Sequence, residues 1–177
     1  MTSKIILYIA SSLDGFIAGR NGDISWLDDY QVESEDYGYS EFLKTIDIIV
    51  MGSKTYEQVL KFDSWPYESV KTYVMTKRQL EPVDKAKVKF YSGYDLDSFV
   101  PGIKRESQKN IWLVGGASLA QSFLKHSFID EMILSIIPVI LGDGISLFGR
   151  TQEEFRLELL KSGSYNNGVV QLHYKLE

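Results

Sequence analysis

The stretch NIWLVGGASLAQSFLKH, residues 110–126, decides the fold. Ile111 to Val114 is an apolar run that reads as a strand covered on both faces. It stops at Gly115 and Gly116 and turns directly into the helical stretch Ala117 to Leu124. A parallel strand followed at once by a helix leaves the helix N-terminus at the carboxyl edge of a sheet. There the first-turn N–H groups have no partners and carry about half a positive charge. Small residues let a phosphate approach those groups closely. On one reading, Val114, Gly115, Gly116, Ala117 and Ser118 are an anion cradle, with the Ser118 hydroxyl as an extra donor. On the other, the glycines are a tight turn where strand and helix pack closely. The dinucleotide fingerprint G-x-G-x-x-G and the P-loop are both absent here.

Outward from this stretch the same junction recurs. Met51-Gly52-Ser53-Lys54-Thr55 is a second strand–glycine–helix boundary, with hydroxyls and a lysine in the first helical turn. A cation at that end works against the helix dipole unless an anion sits nearby. A third strand, KTYVMT, ends at Thr76-Lys77-Arg78. Two such helix starts and a basic strand end suit a dinucleotide with an additional phosphate. That favours NADP over NAD, whose sites place an acid on the ribose hydroxyl. Taken alone, Lys77 and Arg78 also read as a solvated strand end.

The opening KIILYIAS is a further two-sided strand. Residues 18–40 read as one long loop, Ser40 as a helix cap, and Asp95 to Asp97 as the start of a short helix limited by Pro101 and Gly102. After residue 130 the pattern changes to strands, and Asn166-Asn167-Gly168 is a hairpin turn. Alternating strands and helices followed by antiparallel strands predict one α/β domain over residues 1–177. Its sheet is mostly parallel, with an antiparallel C-terminal edge hairpin.

Composition excludes several functions. The 177 residues include no cysteine and two histidines, so disulfide scaffolds, zinc-thiolate sites and a cysteine nucleophile are ruled out. The net charge is −5 and no basic cluster suggests nucleic acid. The longest apolar stretch, Met132 to Leu141, is interrupted by Ser135 and Pro138 and falls short of the ~20 residues that span a bilayer. A soluble, cytoplasmic protein without metal is expected, and the apolar C-terminal strands could pair two copies into a homodimer.

The motifs SLDGFIAGRNGDISWL, IIVMGSKTYEQV, YVMTKR, IWLVGGASLAQSFL and PVILGDGISLFG, in this order, resemble the dihydrofolate reductase superfamily. The closer likeness is to the reductase domain of bacterial riboflavin biosynthesis. The resemblance covers nearly the whole chain and implies a three-layer α/β/α fold and an NADPH-dependent reductase. It implies that Ala10 and Ile17 line the nicotinamide, and that Asn21, Gly22, Asp23 and Trp26 fold over the site. Gly52, Ser53, Lys54 and Thr55 would hold the cofactor from one helix start, and Gly115, Gly116, Ala117, Ser118 and Leu119 from the other. Thr76, Lys77 and Arg78 would meet the adenosine 2′-phosphate. Ser135 matches a threonine beside the pterin in folate reductases.

Two departures argue against folate. The acid that folate reductases carry five or six positions after the tryptophan is replaced by Gln31 and Val32, the nearest acids being Asp28, Asp29 and Glu33. The arginine that grips the folate carboxylate is missing from YESVK. The expected reaction is hydride transfer to a flat C=N or C=O acceptor, pterin- or pyrimidine-like, with Asp29 as the proton-delivering acid. Asp14 either serves the substrate or caps the turn before Gly15. Two alternatives are the 5-amino-6-(5-phosphoribosylamino)uracil reductase step of riboflavin biosynthesis and an NADPH-binding module without catalysis.

Overall fold

A computed structural model describes residues 3–31, 35–84, 86–93, 95–151 and 153–177. Strands β1 (Ile5–Ser12), β3 (Ile46–Gly52), β4 (Lys71–Met75), β5 (Val88–Tyr91), β6 (Asn110–Gly115) and β7 (Glu131–Ile137) run parallel, and β9 (Leu157–Ser164) and β10 (Val170–Leu176) close one edge antiparallel. The eight strands lie in the order β5-β4-β3-β6-β1-β7-β10-β9. The expected mostly parallel sheet and C-terminal hairpin are both present. Gly168, at φ 87°, closes the hairpin by donating its N–H to the Tyr165 carbonyl.

Strand residues alternate between two cores because successive side chains leave opposite faces. Ile5, Leu7, Ile48, Val50, Ile111 and Leu113 pack under helices α3 (Leu96–Glu106) and α4 (Ala117–Lys125). Ile6, Ile49, Met51 and Trp112 pack on the other face, under α1 (Tyr39–Lys44) and α2 (Ser53–Val59). In α4, Ala117, Ala120, Phe123 and Leu124 recur at helical spacing and are all buried. Phe123 is 0% exposed, and full burial of such a side chain contributes about 1.5–3 kcal/mol.

Several boundaries differ from expectation. Helix α3 runs through Pro101 to Glu106. Its buried stripe of Leu96, Phe99, Val100 and Ile103 anchors it, while Pro101 and Asp97 face solvent, so water can satisfy the carbonyl that proline leaves without a donor. Ser40 lies inside α1 rather than capping it, and the Asp36 carboxylate accepts from the Gly38 and Ser40 amides instead. The segment read as one long loop contains two 3-10 turns, Arg20–Gly22 and Ser25–Tyr30. Strands β2 (Phe16–Ala18) and β8 (Ile145–Ser146) form a separate two-stranded antiparallel sheet, too short to show in periodicity. Among the described residues, no helix is long and apolar enough to cross a membrane, and no cluster of acids or histidines could hold a metal ion.

Candidate active site

Strands β3 and β6 are hydrogen-bonded neighbours, with Met51 opposite Gly115. The helices that follow them depart to opposite faces, α2 to one layer and α4 to the other. A crevice opens where neighbouring strands send their helices opposite ways, and in open α/β sheets ligands settle there. Both glycine junctions flank this crevice.

The glycines are not equivalent. Gly115 has φ 114°, a conformation that L side chains avoid, so the backbone itself demands glycine. The Gly115–Gly116 peptide is cis. Gly116, at φ −75° and ψ −163°, and Gly52, at φ −81° and ψ 163°, have ordinary extended backbone. A Cβ on Gly116 would sit 3.5 Å from Thr55 Oγ1, and one on Gly52 would sit 3.8 Å from the Gly115 carbonyl and the Gly116 nitrogen. None of these is a clash. Neither the torsion angles nor the contacts beyond the adjoining residues demand glycine at 52 or 116, yet together they leave only backbone in the narrow gap between two helix starts. A phosphate seated against backbone N–H groups needs that gap, and methyl groups there would narrow it. The residues present therefore fit a dinucleotide pyrophosphate.

Beside the crevice lies a cavity of about 520 Å³ over the carboxyl ends of β1 and β7. Ala10 and Ser135 stand directly opposite each other in the β1–β7 register, and both line it. Its walls are aromatic: Tyr8, Tyr30, Tyr37, Tyr39 and Trp112. A hydrogen-bond network stiffens the floor. Gln171 Nε2 lies 3.2 Å from the Tyr8 hydroxyl, 3.1 Å from the Tyr37 carbonyl and 3.1 Å from Ser135 Oγ. The Tyr37 hydroxyl bonds the Tyr30 carbonyl and accepts from Asn167. Burial, aided by the charge of Asp36, pushes the Tyr8 hydroxyl up to about 12, so it stays protonated.

The remaining expected residues divide. Asn21 and Gly22 occupy the first 3-10 turn, tied to α2 by Gln58 Nε2 donating to the Gly22 carbonyl at 3.3 Å. Lys54 and Ser118 are exposed in the first turns of α2 and α4, with Ser53 and Thr55 half-buried; Ala117 is buried and Leu119 packs half-buried against the α3–α4 core. Val114 packs half-buried on the opposite face. Thr76 is buried, its hydroxyl accepting from the Arg78 amide. Lys77 is exposed. The Arg78 guanidinium makes a fork-like pair with Glu57 of α2, at 2.9 and 2.7 Å, so a 2′-phosphate there would compete with an internal carboxylate.

Ile17 packs half-buried toward the α3–α4 core and does not line the cavity. Trp26 does not line it either, and its indole N–H is buried without a hydrogen-bond partner. Asp29 is exposed on the second 3-10 turn, which offers Leu27 and Tyr30 to the cavity instead. Asp14 ties the first turn to the later glycine turn. Its carboxylate accepts from Ser12 Oγ at 2.6 Å, Leu141 N at 3.1 Å and Gly142 N at 2.8 Å, and these bonds, Ser12 first, hold it below the usual aspartate range. Val32 and Glu33 lie outside the described residues. The acids that do border the cavity, Glu35 and Asp36, were not singled out from sequence; their signal was the acidic run ahead of Tyr37, whose turn brings them inward.

The model of the RibD C-terminal domain matches residues 60–171. The chain belongs to this family. This RibD C-terminal domain protein is 40% identical to the uncharacterized protein YwjB of Bacillus subtilis, across 98% of both chains. Its structure is similar to that of a Shewanella sp. PV-4 protein attributed to riboflavin biosynthesis, with a TM-score of 0.87, 30% identity and coverage of 100% and 99%. Dihydrofolate reductase from Enterococcus faecalis, solved with NADP(H), shares the fold at a TM-score of 0.69 and 14% identity, covering 100% of this chain and 99% of that one. The dihydrofolate reductase-like α/β fold and the kinship with riboflavin-biosynthesis reductases thus hold for this RibD C-terminal domain protein.

Proposed function

We propose that this RibD C-terminal domain protein is an NADPH-dependent reductase acting on a flat pterin- or pyrimidine-like small molecule. The observation that carries this reading is the pair Gly52 and Gly116, bare of side chains where neither backbone conformation nor space requires it, on facing helix starts beside an aromatic cavity. When bound, NADPH supplies a hydride to the carbon of a C=N or C=O bond, whose heteroatom takes a proton from water or an acid.

The chain's own residues do the positioning. The amides at the start of α4 and the Ser118 hydroxyl hold the pyrophosphate, and Lys54 adds charge from α2. Ala10, without side-chain bulk, lets a flat ring lie against β1. The Ser135 hydroxyl orients an acceptor atom of the substrate, while Tyr8, held neutral, donates its own proton to the Tyr37 carbonyl at 3.2 Å and offers the substrate its ring. Glu35 lines the cavity and Asp29 stands outside it, so Glu35 is the better-placed carboxylate to order the water that delivers the proton.

A homodimer belongs to the same reading, because edge strand β9 exposes Leu157, Leu159 and Leu160. Calorimetric titration with NADPH and NADH, followed by NADPH oxidation over a panel of pterin and pyrimidine acceptors, tests the whole. NADPH binding tighter than NADH binding and turnover on one acceptor are expected. Absence of heat with either dinucleotide refutes the reading, and binding without turnover reduces the protein to a nucleotide-binding module.

A further inference from the structure

The substrate cavity and the nucleotide crevice differ in charge. Lys54 and Arg78 lie near Glu57 of α2, and exposed Lys77 is the residue before Arg78. Among the described residues that line the cavity, the charged ones are Glu35 and Asp36, and none is Lys, Arg or His. The sequence NGDISWLDDYQVESEDYGYSEFL, residues 21–43, carries seven Asp and Glu and no Lys or Arg.

An anion could still use backbone N–H groups, but the helix start bordering the cavity is already occupied. The Asp36 carboxylate accepts from the Gly38 amide at 2.9 Å and the Ser40 amide at 3.0 Å. Glu35 in turn accepts from the Tyr37 amide at 2.9 Å. A substrate phosphate would therefore meet two carboxylates and, among the described residues lining the cavity, no counter-charge, and like charges brought together across an interface are costly. The floor offers something different. Ser135 Oγ accepts from Gln171, and among the described residues no acceptor takes its own proton. Aromatic walls and a neutral donor suit a flat ring with a nitrogen or carbonyl acceptor.

We infer that this cavity selects a flat amino-bearing heterocycle, neutral or cationic, that carries no phosphate. The assignment rests on the reductase reading only for what happens to the ring once it is bound. It separates this protein from a reductase of phosphorylated ribosylamino-pyrimidines, although the two share a fold.

The test is calorimetric, with the full chain and three probes: a diaminoquinazoline cation, a ribosylamino-pyrimidine nucleoside, and that nucleoside's monophosphate. The cation is expected to bind, and the nucleoside to bind more tightly than its monophosphate. Glu35→Gln keeps an acceptor for the Tyr37 amide while removing charge. It should weaken the cation about two- to fivefold relative to the neutral nucleoside, the range of a partly solvated charge pair. Glu35→Lys should reverse the preference between nucleoside and monophosphate. Tighter binding of the monophosphate by the unmodified chain overturns the inference, as does binding of no probe. NADPH titrated separately keeps the two ideas apart: a chain that takes the cation but no NADPH sinks the cofactor reading and leaves this one standing.

Discussion

Gly116→Ala divides the two meanings of the double glycine. At φ −75° and ψ −163° the backbone accepts any residue. The added methyl would stand 3.5 Å from Thr55 Oγ1, an ordinary contact. The folded state therefore loses nothing, while the unfolded chain loses freedom, which is worth about 0.4–1 kcal/mol in favour of the fold. For a domain of this size that raises the melting temperature by about 1–4 °C. Binding should respond in the opposite direction. The methyl projects into the gap between the two helix starts and keeps a phosphate from an amide N–H. Loss of one charge-assisted hydrogen bond costs about 1.5–3 kcal/mol, hence about ten- to a hundredfold in NADPH affinity. Thermal melting by circular dichroism and calorimetric titration of the same sample give both numbers. A melting temperature held or raised together with NADPH affinity equal to the unmodified chain's refutes the cradle. A sharp fall in melting temperature shows instead that glycine is there for packing.

Other substitutions give different signatures. Gly115→Ala, at φ 114°, should destabilise by about 1–3 kcal/mol in urea denaturation, because the strain there is conformational. Glu57→Gln releases Arg78 from its fork-like pair and should tighten NADPH without tightening NADH; equal effects on both would remove Arg78 from the 2′-phosphate. Burial pushes the Glu131 carboxyl up, but bonds from Lys4 and His173 outweigh it and leave the group below its ordinary value. A folded-state value below the unfolded one means that its stabilisation is complete above about pH 4.3 and fades as pH falls through the depressed value. Glu131→Gln should therefore cost about 1–3 kcal/mol at neutral pH and progressively less in acid. A pH-independent difference between the two proteins in urea would contradict that assignment.

Much of the architecture was legible in the residues because period and punctuation are local. Unbroken apolar strands, glycine at strand ends and Asn166-Asn167-Gly168 each act over a few positions, and the sheet followed from them. The boundaries that slipped depended on distant partners. Pro101 is carried inside α3 by the helix's buried stripe, and β2 pairs with β8 across more than a hundred residues. The cavity followed the same division. Ala10 and Ser135 were identified from sequence and meet across β1 and β7. Asp29, singled out from its acidic run, stands outside the cavity while Glu35 lines it, since such a run alone does not tell which carboxylate its turns bring inward.

By itself, then, the chain of residues settled a parallel sheet whose strands end in small residues, because hydrophobic spacing and glycine act through neighbouring atoms. Only the folded chain decided that β3 and β6 lie side by side while their helices diverge. Only there did Gly52 and Gly116 come to face one bare gap, and acids rather than cations come to rim the adjoining cavity. Strand order and side-chain direction arise from long-range packing, and no local pattern carries them.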